Sequence, residues 1–342
     1  MSTRVAINGF GRIGRAVLRI ILERPDSDIE VVAINDLADD DILAYLLRYD
    51  TIMGVLDQEV TLDDGVLSVG RHDIRMLLET DPSALPWAEL GVDVVIESTG
   101  VFRDRASITQ HLDAGAGRVL LTVPAKDEID ATIVFGVNDA ELSAEDRIVS
   151  NASCTTNCLA PLVKVLDDQF GIKRGVMTTV HAYTNDQRLA EWAHSDLRRS
   201  RAATENIIPT TTGAAAAVGN VLPHLKGKLD GMAMRVPVSD GSIVDLVVEL
   251  RDNADEDGIR AAVRKAAEGP MKGIIQYSDD PLVSSDIVGN PHSSIFNADS
   301  TKVMGDNLVK VVSWYDNEWG YSNRVVDLVE KMGALPAPVA AG

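Results

Sequence analysis

Hydrophobic residues in the first half of the chain fall in short unbroken runs rather than alternating with polar ones. Val5-Ala6-Ile7-Asn8 is the first, residues 30–34 form the second, and others follow at 92–97, 118–123 and 132–137. Unbroken Val/Ile/Leu runs mark strands buried on both faces; interleaved with helix-period segments such as 15–22, they predict a Rossmann-type α/β fold with a doubly wound parallel sheet. Residues 54–75 read as a short antiparallel, hairpin-like appendage. Past the midpoint the pattern changes. Runs at 175–183, 231–237, 243–250 and 308–314 are longer, with a helical segment at 255–268 between the third and fourth. Long strands with long connections predict an α+β domain whose sheet is mostly antiparallel and backed by helices. At 342 residues the chain exceeds what one core usually serves. The expected division is residues 1–153, completed by a C-terminal helix at about 317–334, and a catalytic domain at 154–316.

The first apolar run ends at Gly9-Phe10-Gly11-Arg12-Ile13-Gly14, a helical segment follows, and the second run ends at Asn35-Asp36. A lone G-x-G-x-x-G is weak evidence, but strand, glycine turn, helix and acid-terminated strand together are the context a dinucleotide site requires. Gly9 permits the tight turn, Gly11 lets backbone approach a pyrophosphate, and Gly14 allows the helix to sit close on the strand. Asp36 would accept hydrogen bonds from ribose hydroxyls and repel a 2′-phosphate, which favours NAD over NADP. Ser98-Thr99-Gly100 and Thr122 close strand ends on the edge where such sheets bind ligands.

Ser153-Cys154-Thr155-Thr156-Asn157-Cys158 lies between a strand-like run and a helical one, 159–169. A cysteine there meets the unpaired N–H groups and positive end of a helix, which favour an anion and predict a lowered thiol pKa. Cys154 is the candidate nucleophile, and Cys158, one turn deeper, reads as a small core residue. His181, inside a β-type run, gains weight as an ion-pair partner and base for that thiol. The remaining histidines show no metal-ligand spacing, so no metal is expected. Arg235 stands inside an apolar run and wants an anionic partner; Leu197-Arg198-Arg199-Ser200-Arg201 is a cationic patch that reads as a salt-bridged face or a subunit contact, with Arg199 alone weighing evenly between that and phosphate binding. Thr212-Gly213 precedes an alanine-rich helix, a second terminus ready for an anion.

The net charge of −20 is spread along the chain, and Arg outnumbers Lys about two to one. Such a surface repels nucleic acid and anionic membranes, so anionic ligands need local cations. It also suggests adaptation to high salt, where screening removes self-repulsion. Met1-Ser2-Thr3-Arg4 leads into a strand rather than a signal peptide, no apolar run approaches a membrane span, and the two cysteines are poor disulfide partners. A cytoplasmic protein is expected.

Ala6 to Arg15, Ser150 to Pro161 around the cysteine, His181-Ala182-Tyr183-Thr184-Asn185-Asp186-Gln187 and Trp314-Tyr315-Asp316-Asn317-Glu318-Trp319-Gly320-Tyr321 closely resemble phosphorylating glyceraldehyde-3-phosphate dehydrogenases. The resemblance runs nearly end to end, stopping at the Pro/Ala-rich tail after Gly333. It implies that Cys154 attacks the aldehyde of glyceraldehyde 3-phosphate and that His181 shuttles the proton. It puts the substrate phosphate near Thr184 and Arg235, and inorganic phosphate near Ser153, Thr155, Arg199, Thr212 and Gly213. Cofactor contacts fall on Arg12, Ile13, Asp36, Thr80, Thr122 and Asn317, and the assembly is a homotetramer. Thr80 and Thr122 depart from the Arg and Ser common in the family. Trp192-Ala193 stands where NAD-specific bacterial relatives often carry Leu-Pro, which leaves NADP use open beside NAD. Two other readings stay open: an erythrose-4-phosphate dehydrogenase, which hydrolyses the thioester, and a non-catalytic NAD-dependent regulator or nucleic-acid binder.

Overall fold

The computed structural model describes residues 2–336. They form two compact units: 2–133, 140–152 and 322–336 in the first, and 134–139 with 153–321 in the second.

The first unit opens with β1 (Thr3–Asn8), α1 (Arg12–Glu23), β2 (Ile29–Asn35) and α2 (Asp40–Arg48), followed by a two-strand ribbon of β3 (Tyr49–Asp50) and β4 (Gly54–Val55). It continues through β5 (Val60–Asp63), β6 (Val66–Val69), β7 (His72–Leu77), α3 (Trp87–Leu90), β8 (Val94–Glu97), α4 (Arg105–Asp113), β9 (Arg118–Leu121), β10 (Ala131–Thr132) and β11 (Ile148–Ser150). The nine-stranded sheet has the order β10-β11-β9-β8-β1-β2-β7-β6-β5. Its centre is parallel, as the unbroken apolar runs predict: β1 pairs with β2 on one side and β8 on the other, and Ile7, Ile34, Val94 and Leu120 are fully buried. Each such side chain contributes about 1.5–3 kcal/mol by leaving water. Two expectations change. Residues 54–75 are not an appendage, because β7 pairs in parallel with β2 and so extends the main sheet. The run at 132–137 yields only β10. Beyond it Val134 N–H donates to Asn138 Oδ1 at 2.9 Å and Gly136 N–H to Asp139 Oδ1 at 2.8 Å, so side chains bend the backbone out of the ladder.

The second unit contains α5 (Cys154–Phe170), β12 (Ile172–Ala182), β13 (Ile208–Thr211), α6 (Ala214–Val221), β14 (Leu229–Val236), β15 (Ser242–Leu250), α7 (Glu256–Glu268), β16 (Ile275–Ser278), β17 (Ser294–Asn297), β18 (Lys302–Met304) and β19 (Leu308–Tyr315). The sheet order is β13-β14-β12-β15-β19-β17-β16, with β18 on β19. Most neighbours are antiparallel, but β12 runs parallel to β14 and β16 to β17. Along β15, residues alternate between buried and half-buried, the period of a strand with one face against helices. A last helix, α8 (Trp319–Ala334), starts in the second unit and continues in the first from Ser322.

Candidate active site

The glycine turn sits where the strand order reverses, between β2 and β8 on either side of β1, the position at which open α/β sheets bind ligands. Its three glycines do different work. Gly9 has φ +92°, and a Cβ there would lie 2.6 Å from the Thr99 nitrogen; a Cβ on Gly14 would lie 2.4 Å from the Gly9 oxygen. A Cβ on Gly11 would meet nothing within 4 Å. The outer two are therefore demanded by packing, while the middle one faces open space. Gly11 is also the N-cap of α1 and makes no side-chain cap there, at a helix end whose polarity favours an anion. Asp36 is fixed from both sides: Phe10 N–H donates to Oδ2 at 2.7 Å and Ala38 N–H to Oδ1 at 3.0 Å. The Arg12 guanidinium pairs with Asp50, and Ile13 is half-buried. Thr80 is exposed, its N–H bound to its neighbour Glu79 at 2.9 Å, while the buried Thr122 hydroxyl donates to Glu97 O at 3.2 Å.

Two residues beneath this turn escaped the sequence reading. Glu97, fully buried, accepts from Asn8 Nδ2 at 2.6 Å and from Thr99 N–H at 2.9 Å. Asn35 Nδ2 donates to Asn8 Oδ1 at 2.7 Å. Side chains from the ends of β1, β2 and β8 thus brace one another under the ligand-binding edge.

In the second unit Cys154 is the first residue of α5. Ser153 is its N-cap: Thr156 N–H donates to Ser153 Oγ at 3.1 Å, and the Ser153 and Thr156 hydroxyls lie 2.7 Å apart. Ala152, just before, has φ +54°, a conformation that costs a non-glycine residue about 1–3 kcal/mol and is found chiefly where function demands it. The sulfur is 3.5 Å from His181 Nε2. Parallel pairing of β12 with β14 sets His181 opposite Arg235. His181 Nδ1 lies 2.7 Å from Ala182 O; the tautomer with its proton on Nδ1 donates to that carbonyl and leaves the Nε2 lone pair facing the sulfur. Arg235 Nη1 donates to the same carbonyl at 3.0 Å and stands 2.7 Å from Nδ1. Burial, reinforced by that guanidinium, pushes the His181 imidazole down to about 3.

Burial likewise pushes the Cys154 thiol up, against the opposing pull of Arg235 and of hydrogen bonding at Thr155. This corrects the expectation that a helix start alone lowers the thiol. Desolvation outweighs it, and the pair is a neutral thiol beside a neutral imidazole, suited to passing a proton as the sulfur reacts.

Tyr315, to which the sequence reading gave no role, forms the floor. Its hydroxyl lies 2.8 Å from both Thr155 Oγ1 and Thr179 Oγ1, and its ring meets His181 edge-on with centroids 5.8 Å apart. Burial raises its phenol well above the usual range. Thr155, expected beside a phosphate, is buried with its hydroxyl on this tyrosine.

Of the other anion candidates, Thr212 caps inward, its Oγ1 accepting from Ala214 N–H at 3.2 Å, and Gly213 is the N-cap of α6. The starts of α5 and α6 are joined, since Thr156 Oγ1 donates to Ala214 O at 3.3 Å. Arg199 is held by Asp186 and, at 3.6 Å, by Asp196, and Nη2 lies 3.5 Å from Thr211 O. It is salt-bridged, yet adjacent to the α6 start. Thr184 is half-buried, with its N–H 3.3 Å from Gln187 Oε1. Asn317 is buried and its Oδ1 accepts from Ser242 Oγ at 2.6 Å.

Comparison with known proteins gives the family. Residues 3–105 match the glyceraldehyde 3-phosphate dehydrogenase NAD-binding domain, and residues 153–317 match the C-terminal domain of the same family. The chain is 58% identical over 338 residues to the glyceraldehyde-3-phosphate dehydrogenase of Mycobacterium avium, covering 97% of this chain and 99% of that one. It is 57% identical over 339 residues to that of Mycolicibacterium smegmatis and 56% over 335 to that of Streptomyces coelicolor, with the same coverage in both. The chain belongs to the glyceraldehyde 3-phosphate dehydrogenase family.

Proposed function

We propose that this member of the family, an NAD-dependent phosphorylating oxidoreductase of glycolysis, uses Cys154 as nucleophile and His181 as its proton acceptor and donor. The observation that carries this reading is the 3.5 Å contact between Sγ and a buried, neutral Nε2. As the sulfur adds to the aldehyde of glyceraldehyde 3-phosphate, its proton passes to Nε2, which returns it to the developing oxyanion. NAD, when bound, supplies the hydride acceptor; as the hydride leaves, the thiohemiacetal hydroxyl gives its proton back to Nε2 and the carbon becomes a thioester. Inorganic phosphate then attacks the thioester carbonyl, the C–S bond breaks, and 1,3-bisphosphoglycerate leaves with Cys154 restored. The fit of the first unit to NAD rests on the open space over Gly11, the uncapped start of α1 and the fixed carboxylate of Asp36. On this reading the Gly9–Gly14 turn holds the pyrophosphate and Asp36 the ribose, while Arg12, Ile13, Thr80, Thr122 and Asn317 complete the cofactor contacts.

Thr184 and Arg235 take the substrate phosphate; Ser153, Thr155, Arg199, Thr212 and Gly213 take inorganic phosphate. The joined starts of α5 and α6 support the second assignment, because two helix N-termini and a guanidinium favour an anion there. Initial rates with and without phosphate test the whole scheme: turnover must require phosphate, and a rate indifferent to it overturns the scheme.

The protein works as a homotetramer in the cytoplasm, without nucleic-acid or membrane partners. Leu189, Trp192, Leu197 and Ile207 are exposed within one segment of the second unit, which supports a subunit contact there; sedimentation at micromolar concentration tests it. No described helix is long and apolar enough to cross a membrane. The charge of −20 supports adaptation to high salt, and a melting temperature unchanged between dilute and molar KCl removes that reading.

A further inference from the structure

At one end of two central strands of the second sheet, the start of β15 and the end of β19 are tied together twice. The first tie is polar and ordinary. Ser242 is the register partner of Tyr315; its hydroxyl donates to Asn317 Oδ1 at 2.6 Å and accepts from Ala182 N–H at 3.0 Å, next to His181. The second tie joins two acids. Asp240, 2% exposed, stands just before Ser242, the register partner of Tyr315, and so faces Asp316, 1% exposed, across the two strand ends. Two acids buried side by side do not both ionise: one keeps its proton, and that O–H can donate to the other.

The surroundings say which acid holds the proton. Asp316 accepts three main-chain hydrogen bonds, from Glu318 N–H at 2.8 Å, Trp319 N–H at 2.6 Å and Gly289 N–H at 2.7 Å, the environment of an ionised carboxylate. Asp240 accepts only from Gly241 N–H, at 2.8 Å, and its buried Oδ2 has no donor, which is the atom a proton would occupy. Nor can Asp240 swing out to water with its turn. Gly241 has φ +82° and a Cβ there would lie 2.3 Å from Ser284 O, so the backbone is wedged in place. The charged neighbours that act most strongly on Asp240 are Asp316 and Glu318, both acidic.

We infer that Asp240 is a positioning residue, holding a proton that it donates to Asp316 and so locking the two turns that carry Ser242 and Asn317. It acts on the reaction through Asn317 and, by way of Ser242, through the strand end that carries His181. The consequence for pH has a definite sign. Burial beside Asp316 pushes Asp240 up to about 9, whereas in an unfolded chain its carboxyl releases the proton near 3.8. The folded protein therefore binds one more proton across that window, and this stability, complete below about pH 4, is lost progressively as pH rises through 9.

The test uses the intact protein and Asp240→Asn, whose amide can donate to Asp316 without titrating. The melting temperature of D240N minus that of wild type should grow steadily from pH 5 to about 9 and then level off. Asp240→Ser, smaller and also unable to ionise, should give the same pH-dependent rise even if its melting temperature is lower throughout. A difference that does not vary with pH in either variant overturns the inference, because a merely structural role shifts stability by a constant amount. The second readout rests on Asn317 being a cofactor contact: the Kd for NAD should weaken about tenfold between pH 7 and 10 in wild type and stay flat in D240N. If the melts behave as expected and the Kd does not, the shared proton stands and the assignment of Asn317 fails.

Discussion

The glycine turn of the first unit and the cysteine site of the second solve the problem of placing reactive groups in opposite ways. The turn is built from one contiguous stretch, and its shape is enforced by backbone contacts that a single methyl group would violate at Gly9 or Gly14. The cysteine site is assembled from side chains on α5, β12, β14 and β19, and its chemistry depends on what surrounds each group rather than on local conformation. A local device tolerates little change in backbone but much in its surroundings. An assembled one is set by packing, and there the environment can overturn a local tendency, as burial does for the Cys154 thiol.

The sharpest break in this comparison comes from the nucleophile. Cys154→Ser should lower kcat by about 10³-fold or more while leaving the Kd for NAD within about twofold, because the two devices are built on different compact units. Equal losses in both would show that the devices are not independent. His181→Asn should cost about 10²–10⁴-fold in kcat, the range for a general base. The same variant reports on burial. The imidazole is held down to about 3, while in an unfolded chain it titrates near 6.5. As pH falls through that window the unfolded chain takes up the proton first, so wild type loses stability that the variant keeps. Melting temperatures that fall in parallel from pH 6.5 to 4 would refute the buried neutral histidine.

Smaller effects sharpen the other side. Gly9→Ala forces a methyl group to 2.6 Å from backbone at a positive φ, and should destabilise the protein by about 1–3 kcal/mol in denaturant titrations. Gly11→Ala, with open space around it, should leave stability within about 0.5 kcal/mol yet weaken NAD binding about tenfold. Reversed behaviour of the two variants would show that the glycines have been assigned the wrong work. The smallest change is expected from Asp36→Ala: a shift of about tenfold in the ratio of kcat/KM for NAD over NADP, with stability nearly unchanged. An unaltered ratio removes Asp36 from the ribose.

Much of the first device was legible in the chain because each of its requirements is local. Gly9, Gly11, Gly14 and Asp36 stand at fixed intervals along one strand-turn-helix-strand unit, and the physics that selects them acts over a few residues. The second was legible only in part. Cys154 declares itself by standing at a helix start, and His181 by standing inside a strand, but their contact comes from the way β12 and α5 meet. Tyr315 stood within a family motif and Glu97 at a strand end, but neither showed a role, since an aromatic or an acid at a strand end is ordinary until its partners are known. Asp240 was lost among 52 acids, and only the Gly241 turn and the nearness of Asp316 set it apart.

What the sequence determined by itself is the parallel core of the first sheet, the mostly antiparallel character of the second, and the residue types able to bind a dinucleotide and attack a carbonyl. Periodicity, glycine freedom and helix-end polarity act within a few residues, and so can be read from them. What only the tertiary structure decided is the state of each reactive group. Whether Cys154 is thiol or thiolate, whether His181 is neutral or charged, and which of Asp240 and Asp316 keeps a proton depend on desolvation and on charges brought from distant parts of the chain. Those energies come into being only when the strands pack.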